Sequence, residues 1–197
     1  MTVNPITANK APMTPGSTQI LFLDIQPEIV SGGGTNPPKA LTASAVALAR
    51  IGKLFGLPMT VSLVPVGDAE PRLVPELAAE LTDVTQLVRT LAPAFEDSAL
   101  AAAIEDNGRH DLVICGVVTE VAVLLACFGA AERGYEVHVP VDACSGLTSR
   151  TEDAAFRRIE SFDANTAAVA TLGAVLAGDL AGPEGVELMR ILQPIMS

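Results

Sequence analysis

Tryptophan is absent from these 197 residues, charged side chains make up only 18%, and Lys plus Arg number 12 against 23 Asp plus Glu. The formal net charge of −11 leaves no basic patch to displace counterions from phosphate, so a nucleic-acid partner is not expected. Histidine is scarce too: His110 and His138 have no partner at ligand spacing, and we expect neither a metal nor a cofactor. The three cysteines, Cys115, Cys127 and Cys144, are an odd number without metal-ligand spacing, the usage of reduced thiols in a cytoplasmic protein. No apolar run approaches ~18 residues, which argues against a membrane span. The opening MTVNPITANKAPMTPG has neither the apolar core nor the basic lead of a secretion signal.

What remains is a chain that is 49% hydrophobic and long enough to bury a sizeable core without staples. Residues 1–18, with three prolines and several Thr and Asn, suit an extended arm, and 19–197 suit a single domain. Short apolar runs then recur: QILFLD, MTVSLV, QLVRT, LVICG, YEVHVPV and AAVAT (167–171). Helical patterns separate them, among them KALTASAVALARIGKLF, DSALAAAIEDNG and SRTEDAAFRRIESF. This alternation predicts an α/β fold, a doubly wound, Rossmann-like sheet of six mostly parallel strands with helices on both faces. The apolar C-terminal segment GVELMRILQPIM and the proline-rich arm point to a homo-oligomer.

The most informative stretch runs from Asp111 to Gly146: strand, sharp turn, helix, turn and strand. LVICG has the continuous apolar character of a strand buried on both faces. Thr119 and Glu120 open the helix, and Gly134 ends it in the manner of a left-handed cap. Such a unit aims the helix N-terminus, with its unpaired N–H groups, at the carboxyl edge of the sheet, where open α/β folds bind ligands. A nucleophile there would fall near position 122, which is alanine. Asp24, closing QILFLD, stands at the same edge.

GVVTEVAV followed by GAAERGYEVHVPVDAC resembles the core motif of the isochorismatase-like cysteine hydrolases, and the family's nucleophilic cysteine falls on Ala122. LFLDIQ is similar to the family's L-x-x-D-x-Q, placing its acid on Asp24 with Gln26 also in register. The family's K-P-G-x-S-A-F lies without gaps on residues 89–95, so Arg89 takes the lysine position and Ala94 and Phe95 match the end. The resemblance implies that Asp24 accepts the thiol proton, that the cation at 89 favours the thiolate, and that backbone N–H groups of Val118 and Ala122 hold the oxyanion. It further implies a cis peptide at Val117–Val118, Gln26 and Phe95 at the substrate, a small-molecule substrate with a C–N bond such as an amide or ureido compound, and assembly into an oligomer. The D-x-H metal motif of the related nicotinamidases is absent.

Three functions are compatible with alanine at 122. The chain is a cysteine hydrolase rendered inactive by Cys-to-Ala replacement, or a thiol-independent hydrolase of enol ethers with Asp24 as general acid, or a catalytically silent homologue that keeps the fold. Taken singly, a strand-end Asp is an ordinary loop carboxylate and Arg89 a surface ion-pair partner; the three motifs in register carry the argument. Cys127 does not replace the missing thiol. Five positions on, at roughly 100° per residue, it projects about 140° away from Ala122.

Overall fold

The computed structural model describes residues 12–196; most of the expected arm, residues 1–11, lies outside them. The elements in chain order are β1 (Thr18–Leu23), α1 (Pro27–Val30), α2 (Pro38–Leu54), β2 (Met59–Leu63), α3 (Pro75–Glu80), β3 (Thr85–Val88) and α4 (Ser98–Glu105). They continue with β4 (Asp111–Val117), α5 (Leu124–Glu132), β5 (Glu136–Pro140), β6 (Cys144–Ser145), α6 (Ser149–Glu160), β7 (Asn165–Ala167), α7 (Val169–Ala177) and α8 (Pro183–Leu192).

The sheet order is β3-β2-β1-β4-β5-β7, with β6 pairing β4 off this path, and every strand pairing is parallel. Parallel neighbours need crossovers, and the helices supply them: α2 packs with α3, α7 and α8, and α5 packs with α6. Covered on both faces, β1 and β4 are buried at every position, which is why their sequences are continuously apolar rather than alternating. At the sheet edge, β3 stays half-exposed to exposed throughout.

Two expectations need correction. The sheet has seven strands rather than six, because Cys144–Ser145 pairs with Gly116–Val117. Two residues are too few to show a period of two. The last strand is Asn165–Ala167, not 167–171; Val169 already opens α7. The deciding contact is distant in sequence: Asp142 Oδ1 accepts the Val169 N–H at 2.9 Å and fixes the helix start there.

Candidate active site

The carboxyl edge is shaped first by β1. Its last residue, Leu23, is followed by Asp24 at φ 56°, a left-handed conformation that Asp tolerates better than most residues. The Asp24 N–H donates to Ser62 O at 2.9 Å, and the Gln26 N–H turns back to Asp24 O at 2.8 Å. The chain therefore leaves the sheet abruptly and presents the carboxylate above it. Gln26 holds this bend from inside: its Nε2 donates to Val64 O at 3.0 Å and its Oε1 accepts the Val64 N–H at 2.8 Å. This side chain acts as a backbone substitute, continuing the ladder past the end of β2.

Arg89 arrives from the next strand but one. Its N–H donates to Leu63 O at 2.9 Å, and its side chain is 2% exposed. Nη1 donates to Asp24 Oδ1 at 2.6 Å and Nη2 to Oδ2 at 2.7 Å, a fork-to-fork pair, while Nη1 also reaches Ser62 Oγ at 3.1 Å. The Nε of Arg89 has no hydrogen-bond partner. Burial pushes the Asp24 carboxyl up, and the hydrogen bonds and charge of Arg89 pull it back without cancelling the rise. Ser62 escaped the sequence reading. Its only signal is a hydroxyl interrupting the buried run of MTVSLV.

The third arm comes from β4. Gly116 has φ 151°, and a Cβ there would strike the Leu23 backbone of β1, so no other residue fits. The Val117–Val118 peptide is cis. Thr119–Val123 forms one wide π-type turn before α5 begins, a local irregularity frequent at functional sites. Thr119 Oγ1 donates to Glu152 Oε1 at 2.8 Å, and Glu120 Oε1 accepts from Leu147 N at 2.9 Å and Thr151 Oγ1 at 2.5 Å, pinning the turn to α6 and the loop before it. For Glu120, burial raises the carboxyl, but these hydrogen bonds outweigh it and hold it below the ordinary range. Ala122 is 4% exposed, and its N–H already donates to Val118 O at 2.9 Å. An oxyanion at this point would share that donor rather than find it free, a three-centre arrangement common at helix termini.

Asp24, Arg89, Val118 and Ala122 line one cleft of about 320 Å³, walled by Ile29, Val64, Leu91 and Val121. Gln26 and Phe95, expected at the substrate, do not line it. Gln26 is 1% exposed and engaged with Val64; Phe95 is buried beneath α5, where its ring packs on Tyr135 and under the Arg133 guanidinium and its edge meets Gly129. Both support the site from behind. A larger cavity, about 710 Å³ between α2, α3 and the C-terminal segment, contains none of the three expected site residues. Volume alone would select it, but its shifted carboxylate, Glu80, is held down by ion pairs with the half-exposed Lys53 and Arg50, so we place the site at the smaller cleft, where a buried pair converges.

No thiol reaches this cleft. Cys115, Cys127 and Cys144 are buried, and burial raises all three, Cys144 to about 12. Among the described residues, no three His, Cys, Asp or Glu side chains are grouped to hold a metal, and no helix is long and apolar enough to cross a membrane.

The family model for the isochorismatase domain matches residues 18–173. The probable hydrolase YcaC of Escherichia coli is 29% identical over 141 residues, covering 71% of this chain and 68% of that protein. Two solved structures superpose closely. YcaC from Pseudomonas aeruginosa, with hexane-2,5-diol and covalent acrylamide, has TM-score 0.87 and 25% identity over 93% of this chain and 92% of its own. YcaC from Escherichia coli, an octameric hydrolase of unknown specificity, has TM-score 0.88 and 25% identity over 95% and 94%.

Proposed function

Because the chain belongs to the isochorismatase family, whose characterised members are hydrolases, we propose that its cleft is built to hydrolyse a small C–N substrate, an amide or ureido compound, with Ala122 at the nucleophile position. The observation that carries this reading is the convergence of the buried Asp24–Arg89 pair with Ala122 in one cleft at the carboxyl edge. With a cysteine at 122, the Asp24 carboxylate takes the thiol proton and the sulfur attacks the carbonyl carbon. The tetrahedral oxyanion sits against the N–H groups at the helix start. The C–N bond then breaks as Asp24 returns the proton to the leaving nitrogen, and water hydrolyses the thioester. Arg89 cannot serve as base, because it stays protonated; it orients the carboxylate and stabilises its ionised form. With alanine at 122 the cleft lacks an electron pair to attack with, and the chain is inactive toward amides.

YcaC from Pseudomonas aeruginosa carries covalent acrylamide, a small molecule that bears an amide group. The octameric relative supports homo-oligomeric assembly of one domain spanning 19–197, and three reduced thiols suit a cytoplasmic setting.

The net rise of the Asp24 pKa favours a second reading, in which Asp24 protonates an enol ether without any thiol. One comparison separates the two. Ala122→Cys should gain hydrolysis of small amides, with a burst of acyl-enzyme, over an inactive parent. Equal activity of both forms on enol ethers would establish the second reading, and silence of both on every substrate would leave a homologue that keeps only the fold.

A further inference from the structure

The charges in the cleft cancel within the protein itself. Of the residues that line it, only Asp24 and Arg89 are ionisable, and they are bonded to each other through both guanidinium ends. The end-on fork of Arg89, the geometry that would grip a substrate carboxylate, is therefore already filled. Arg89 Nε has no partner, but it is buried and offers no accessible donor to the cleft. Apart from Thr90, the remaining walls, among them Ile29, Val64, Leu91, Val118 and Val121, carry apolar side chains.

We propose that the cleft selects uncharged ligands of the amide class and rejects carboxylates. Asp24 is the residue that sets this preference, by neutralising the cation that would otherwise attract an anion. A carboxylate entering the cleft leaves water for apolar walls and finds no uncompensated positive charge, and it lies near the Asp24 oxygens. A neutral amide loses far less on leaving water. The proposal deepens, and rests on, the reading of this cleft as the substrate site.

The test compares butyramide with butyrate, which match in size and differ in charge, by saturation-transfer NMR titration of the full chain at pH 8. Butyramide should bind at least ten-fold more tightly than butyrate, and Ala122→Leu, which fills the cleft, should abolish its signal. Asp24→Asn keeps the side-chain shape and frees the Arg89 fork, so it should invert the preference by a similar factor. Tighter or equal binding of butyrate to the unmodified chain would overturn the proposal, as would silence of both ligands, survival of the amide signal in Ala122→Leu, or an unchanged preference in Asp24→Asn. Should Asp24→Asn not fold, the comparison in the unmodified chain decides alone. Turnover by Ala122→Cys is scored separately. Selective amide binding without turnover refutes the hydrolase reading and not the preference, whereas turnover of carboxylated and neutral amides at equal rates refutes only the preference.

Discussion

Removing the Arg89 charge tests the central feature of this site most directly. In Arg89→Met, the Asp24 carboxylate, 4% exposed, loses both charge-assisted hydrogen bonds and keeps its burial. Breaking one half of a buried pair costs roughly 3–5 kcal/mol, and we expect a loss of that order at pH 8. Asp24 can escape by taking up a proton, and this fixes the sign of the pH dependence. Its folded pKa, already raised by burial, rises further without its cation, so the folded state binds more protons than the unfolded one. Stability of the variant must then fall as pH rises from the unfolded carboxylate range to the folded pKa, by up to about 1.4 kcal/mol per unit. Asp24→Asn is the counterpart. Asn tolerates the φ of 56°, but the stranded guanidinium cannot deprotonate, so its penalty stays flat between pH 5 and 8. Urea titrations at fixed protein concentration, at pH 5, 6.5 and 8, measure both. An Arg89→Met loss below about 1 kcal/mol at pH 8, or one that does not shrink on acidification, would refute the view that Arg89 compensates a buried charge.

Three further outcomes are expected. Gln26→Leu strands the Val64 N–H and C=O and should cost about 1–3 kcal/mol for each group left unsatisfied, read as a drop in the urea midpoint; a change below 0.5 kcal/mol would show that Gln26 is not a backbone substitute. Glu120, held below the ordinary carboxylate range, contributes stability that is present above that range and lost as pH falls through its folded pKa. Glu120→Gln should accordingly flatten the acid limb of the stability profile, and an unaltered limb would exclude that contribution. With all three thiols buried and raised, Cys144 to about 12, the native protein should resist a thiol-reactive disulfide at pH 8 and take up three equivalents only in denaturant. Rapid labelling of the native chain would place one of them at the surface.

Local information was enough wherever a chemical choice is made within a few residues. Continuous apolar runs require strands buried on both faces, and helices between them require parallel crossovers, so the α/β class and the carboxyl-edge position of Asp24 and Ala122 were legible in the chain. Other properties depend on partners far away in sequence, and only the tertiary structure decided them. The start of α7 is set by Asp142, and β6 exists only because β4 lies beside it. Gln26 and Phe95 sit where the motif places them along the chain, but their side chains turn to Val64 and to Tyr135, Arg133 and Gly129, and leave the cleft to others. Residue types at 24 and 89 announce an acid and a cation; that the pair is closed on itself is a matter of distances across 65 residues of chain. Charge compensation and desolvation depend on three-dimensional neighbours, and no local pattern encodes them.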